Sequence, residues 1–123
     1  MRHALLLLAL LAPAVASAQA TPDDEVQRAR SKTCAAFLTE LSNHVATGQP
    51  AGTTPSFAAA WGALLRADQA AGGPAAGHLA HASLMLDNTK LACARVRAKT
   101  LGAVMDAEFA LLPDPKAASR SVP

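Results

Sequence analysis

Cys34 and Cys93 are the only thiols in the 123-residue chain, and their number and spacing limit the sulfur chemistry open to it. No C-x-x-C pair exists for thiol–disulfide exchange, and two isolated thiols lack the further ligands a zinc site needs. In an oxidising compartment, two thiols with none left over are most simply one disulfide. Closing the loop between them would stabilise the fold by about 4 kcal/mol through lost unfolded-chain entropy. That is a large share of the roughly 5 to 15 kcal/mol of a small domain. His78 and His81 are three residues apart and would share a helix face, which raises metal binding. Two imidazoles leave zinc or copper short of ligands, however, and no Asp, Glu or third His stands nearby at helical spacing. The sequence therefore predicts no metal and no cofactor. Asp106 with Glu108, and Asp23 with Asp24 and Glu25, have the spacing of helix surfaces and an N-terminal turn rather than of an acid–base pair. Without a G-x-S-x-G, an H-E-x-x-H or a Gly-rich phosphate loop, the expectation is a protein that is not an enzyme.

Whether the two thiols can oxidise depends on compartment, and the N-terminus speaks to that. Arg2 and His3 precede an uninterrupted apolar run from Ala4 to Leu11, followed by Pro13 and the small residues Ala16, Ser17 and Ala18. This order of charge, apolar stretch and A-x-A site is that of a secretory signal, with cleavage after Ala18 or, alternatively, Ala20. The run is far short of the roughly 20 residues that span a bilayer, and no later segment comes closer. The expected location is the periplasm, with residues 1–18 removed and no membrane attachment afterwards.

The remaining chain is long enough for one domain and holds few large core residues, having no Tyr, three Phe and one Trp. Small size and a thin core point to support from the disulfide, a partner chain, or both. The 11 basic and 9 acidic residues become 10 and 9 without Arg2, so no basic footprint for nucleic acid follows. Lys90, Arg95, Arg97 and Lys99 crowd one region, but without interleaved aromatics they read as a solvated face.

The periodicity predicts an all-α bundle of about four helices. Thr21, Pro22, Asp23 and Asp24 supply a cap, a first-turn proline and acids for the positive end of the dipole. Val26, Phe37, Leu38, Leu41 and Val45 then recur at helical steps, giving a helix over 23–46. Residues 48–53 form a loop, and Thr54 with Pro55 opens a second helix over 55–71 that carries Phe57, Trp61, Leu64 and Leu65 on one stripe and ends at Gly72-Gly73-Pro74. A third helix is expected over 75–86. Asp87, Asn88 and Thr89 read as the cap of a fourth over 88–112, with Leu91, Cys93, Val96, Leu101, Val104, Met105 and Phe109 along it. Pro113 and Pro115 stop it, leaving 113–123 as a tail.

Thr33-Cys34 followed by Phe37 and Leu38, then Ala60-Trp61 with Leu64 and Gly72-Gly73, then Cys93 at a matching distance, together resemble the HdeA and HdeB family of small periplasmic acid-stress chaperones, HdeB more closely. The resemblance covers roughly residues 33–105 and makes 33–112 the helical domain, with 19–32 a tail and first helical turns. It implies a disulfide-bonded helical protein, a homodimer near neutral pH, which loosens in acid and holds unfolding periplasmic proteins soluble on exposed apolar surface without ATP. Candidate client or dimer contacts are Phe37, Leu38, Leu41, Phe57, Trp61, Leu64 and Leu65, each of which could equally be core. His44, His78 and His81 are candidate pH-responsive groups, since imidazole gains charge in mild acid. In strong acid the carboxylates would be protonated and the chain would carry a repelling positive charge. Ala35 and Ala36 stand where the family carries acidic or amide residues, so an acid trigger at that place is missing. The 48–54 loop looks like an insertion. The alternative reading is a small exported binding module holding one apolar ligand or protein partner between its helices.

Overall fold

The computed structural model describes residues 22–74 and 78–113; the expected leader, the tail up to Thr21 and the C-terminal tail lie outside the described residues. Five α-helices make up the described chain, α1 (Pro22–Ser31), α2 (Cys34–Ala46), α3 (Pro55–Ala70), α4 (Ala82–Arg95) and α5 (Leu101–Ala110), with 3-10 turns at Ala51–Thr53 and Leu79–His81. No helix among the described residues is long and apolar enough to cross a membrane. The all-α, disulfide-stapled bundle is as expected, while three boundaries within it differ.

The helix expected over 23–46 is broken at Lys32–Thr33. In a continuous helix the Cys34 amide would donate to the carbonyl four residues back. Here it donates to the Lys99 carbonyl at 2.8 Å, and the Ala35 amide donates to the Arg97 carbonyl at 3.0 Å. The Leu101 amide donates in return to the Lys32 carbonyl at 2.8 Å, which makes Thr33 and Thr100 an isolated antiparallel bridge. Each of these threonines then caps the helix that follows it: Thr33 Oγ accepts from the Ala36 amide and Thr100 Oγ from the Ala103 amide, both at 3.2 Å. Two linkers thus serve each other's first-turn donors, which would otherwise be orphans.

The same bridge breaks the helix expected over 88–112, which is divided at Val96–Thr100 into α4 and α5. Conversely, Asp87-Asn88-Thr89 is not a cap, because α4 runs through it. Met85, Thr89 and Cys93 recur every four residues on the buried face, and that stripe outweighs the local preference of Asp and Asn for helix ends. Leu91 falls off the stripe and is 61 % exposed.

α3 ends as the sequence implies. The Gly72 amide donates to the Gln69 carbonyl and the Gly73 amide to the Asp68 carbonyl. Gly72 takes φ +83°, the left-handed conformation this Schellman-type end requires. Its start differs. Thr54 occupies the cap position, yet its hydroxyl donates to the Ala51 carbonyl at 2.6 Å and leaves the helix uncapped from within.

The core joins Phe37 and Leu41 of α2, Phe57, Ala60 and Trp61 of α3, Met85 and Leu86 of α4, and Leu101, Val104 and Met105 of α5 around the two cysteines. α1 lies against α3 and α5, burying Ala29. Gly102 allows that approach, since a Cβ there would stand 2.9 Å from Arg30 Cβ. Cys34 and Cys93 are bonded, with Cα atoms 4.8 Å apart and no exposed surface.

The bond spans 59 residues of sequence. Replacing both cysteines by alanine is expected to cost about 4 kcal/mol, read as a lower urea midpoint than that of the oxidised protein. An unchanged midpoint would show that the link contributes nothing to stability.

Candidate functional site

Three of the four aromatic residues gather between α3, α5 and the turn at 78–81. Phe57 and Trp61 stack with ring centroids 6.4 Å apart and an interplanar angle of 14°. Phe109 meets Trp61 edge-on at 5.8 Å and lies 5.1 Å from the His78 ring. The arrangement follows from helical spacing: Phe57 and Trp61 stand one turn apart on α3, and α5 brings in Phe109. Such pairs contribute about 0.5–1.5 kcal/mol beyond their burial.

Of the residues singled out from sequence, Phe37, Leu41, Phe57 and Trp61 are buried, while Leu38, Leu64 and Leu65 are partly buried against the core. In this structure they are packing. The apolar side chains presented to solvent are others: Leu111 and Leu91, at 75 % and 61 % exposed, and to a lesser degree Val45 and Leu84. Leu91 and Leu111 line a shallow depression together with Arg95 and Glu108.

Glu40, which the sequence did not single out, ties the halves of the bundle together. It projects from α2 to the start of α3, where its carboxylate accepts from the Ser56 amide at 2.8 Å and from the Ser56 hydroxyl at 2.6 Å. It also pairs with Lys32 in the linker between α1 and α2. Glu40 is therefore the cap that Thr54 does not provide, supplied from another helix and matched in sign to the helix dipole. Burial works against its ionisation, but Lys32 and the two Ser56 bonds outweigh it and hold the carboxyl below its usual range. Glu25 and Arg28 of α1 line the same groove with Lys32 and Ser56. A signal was available in the sequence, a lone acid at a helical position between apolar residues, but its partner lies 16 residues away.

A second carboxylate tie joins α1 to α5. Arg30 donates both terminal nitrogens to Asp106, at 2.9 and 2.6 Å, and this bidentate bond raises the guanidinium's affinity for its proton. The pair is partly exposed, which limits its worth to about 1 kcal/mol or less.

The histidines fall in two places. His44 Nε2 meets Thr53 Oγ at 2.8 Å and anchors the end of α2 to the 48–54 loop. His78 and His81 lie together, ring centroids 5.7 Å apart. Among the described residues, no three of His, Cys, Asp and Glu are grouped closely enough to hold a metal ion. A cavity of about 370 Å³ opens beside the aromatic cluster, lined by Phe57, Trp61, Leu86 and Asp87 among others.

Since the Glu40 carboxyl is held below its unfolded value of about 4.3, its contribution is complete above that pH and is lost as pH falls through the folded value. Glu40→Gln is expected to cost about 1 kcal/mol at pH 7. It should also reduce the further loss between about pH 5 and pH 2, the carboxylate range. Urea midpoints at neutral and acid pH check this, and equal acid losses in both proteins would remove Glu40 from the acid response.

The chain matches no known family model, no curated protein and no solved structure.

Proposed function

We propose that the protein is an exported, ATP-independent chaperone of acid stress, acting in the manner of the HdeA and HdeB group it resembles. The observation that carries this reading is an aromatic cluster, Phe57 and Trp61 buried and Phe109 partly buried against them, in a bundle whose helices are tied by carboxylates, Glu40 to Ser56 and Lys32, and Asp106 to Arg30. Protonation of Glu40 removes the charge from its tie to Lys32 and Ser56. The disulfide does not titrate, so the chain stays tethered while its helix faces separate. Acid also neutralises the other carboxylates, and the remaining positive charge keeps the opened protein and a bound client apart from their like. Glu40 supplies an acid-titrating group that Ala35 and Ala36 do not. The clients are exported proteins unfolding in acid, and near neutral pH the protein pairs with a second copy of itself.

A second reading rests on the cavity beside Trp61, which suits one small apolar ligand held at neutral pH. The two differ in pH and in stoichiometry.

Light scattering of an acid-denatured client, with and without the protein, separates them. Suppressed aggregation is expected at pH values from about 2 to 5, where carboxylates titrate, together with a red shift of Trp61 emission as that side chain leaves the core. No suppression anywhere in that range would end the chaperone reading. A Trp61 response to a small apolar solute at pH 7 would then favour the cavity. Molecular mass across the same pH series is expected to fall from dimer to monomer.

A further inference from the structure

The cavity of about 370 Å³ is lined from three elements: Ala51 and Gly52 of the 48–54 loop, Phe57 and Trp61 of α3, and Leu86 and Asp87 of α4. Its volume falls near the lower end of the roughly 300–1,000 Å³ of small-ligand sites. The loop wall is set in place by its own bonds. Thr53 Oγ donates to the Pro50 carbonyl and Thr54 Oγ to the Ala51 carbonyl, at 2.8 and 2.6 Å, and His44 holds Thr53 to the end of α2. A wall already ordered has less entropy to lose when a ligand arrives.

The charge on the lining decides which ligand fits. Among the described residues, Asp87 is the one charged side chain there. It is exposed, and it forms no ion pair with a described residue. An anionic ligand would meet this carboxylate with no Lys or Arg on the wall to offset it. A neutral apolar ligand would cover part of the carboxylate's hydration and return nothing. A cation with an apolar arm satisfies both parts of the lining, and Trp is the side chain that attracts cations best. We propose that this cavity binds small organic cations, amines with one apolar or aromatic arm, the arm against Phe57, Trp61 and Leu86 and the ammonium group at Asp87. This specificity rests on the ligand-binding reading of the cavity and is independent of chaperone activity.

Three probes of similar shape test it on the disulfide-intact protein at pH 7: 2-phenylethylamine, the neutral 2-phenylethanol and the anionic 3-phenylpropanoate. Trp61 is the chain's single tryptophan, so its emission and its indole N–H resonance report on the cavity wall directly. The amine is expected to bind about tenfold more tightly than the alcohol, and the carboxylate not at all. Asp87→Asn should bring the amine down to the alcohol's affinity. Gly52 lies outside the left-handed region, and a Cβ there meets nothing within 4 Å. Gly52→Leu, checked for folding by circular dichroism, should therefore crowd the cavity and weaken amine and alcohol alike. An alcohol that binds as tightly as the amine overturns the cation assignment and leaves a cavity for apolar ligands. No response to any of the three ends both. A preference for the amine that survives Asp87→Asn overturns the proposal, whether or not Gly52→Leu folds.

Discussion

Bonding Cys34 to Cys93 places the first residue of α2 beside the last turn of α4, with Cα atoms 4.8 Å apart. Two stretches of linker must then run side by side, 32–33 entering α2 and 96–100 leaving α4. Each meets the other's need, since the start of a helix has amides without acceptors and an extended linker has carbonyls to spare. The Cys34 and Ala35 amides take the Lys99 and Arg97 carbonyls, and Leu101 takes that of Lys32. The break between α1 and α2 and the break between α4 and α5 are therefore one event, and it is organised around the sulfur bridge. With no Tyr, three Phe and one Trp to fill a core, the covalent link and this reciprocal capping carry an unusual share of the architecture.

That interdependence explains how much was legible beforehand. The pairing of the cysteines followed from there being only two, and the all-α class from apolar residues at steps of three and four. α3 could be read almost to the residue, because Pro55 at its start and Gly72-Gly73-Pro74 at its end are local signals. Burial of Phe37, Leu41, Phe57 and Trp61 followed from the same stripes. The breaks at Lys32–Thr33 and Val96–Thr100 were not legible, because what ends each helix is a carbonyl or amide more than sixty residues away. Thr33 and Thr100 are good caps, but threonine inside an apolar stripe is unremarked until something competes for the backbone beside it. The error at Asp87-Asn88-Thr89 is the converse case, in which local cap preference lost to the burial of Met85, Thr89 and Cys93 on one face.

The candidate site divides along the same line. Aromatic residues on a shared face can be counted from sequence, whereas Phe109 joins Phe57 and Trp61 only because α5 packs on α3. Glu40 was invisible for a related reason. Capping signals are read within four residues of a helix start, and this one comes from the preceding helix.

Topology decides what each interaction can hold. The loop closed by the disulfide contains α2, α3 and α4, leaving α1 and α5 outside it. Arg30 and Asp106 join the two outside helices to each other, while Glu40 joins α2 to α3 within the loop and, through Lys32, to the linker from α1. None of these ties duplicates the sulfur bridge. Phe37 lies one turn from Cys34 on the covalently joined pair α2 and α4, whereas Phe57, Trp61 and Phe109 lie on α3 and α5, which no covalent bond joins. In the proposed acid response the cluster that would be released is thus the one held by titratable contacts and packing alone. In that proposal the aromatic residue beside the bridge would stay where the sulfur atoms hold it, so that opening would be limited by connectivity rather than by residual stability.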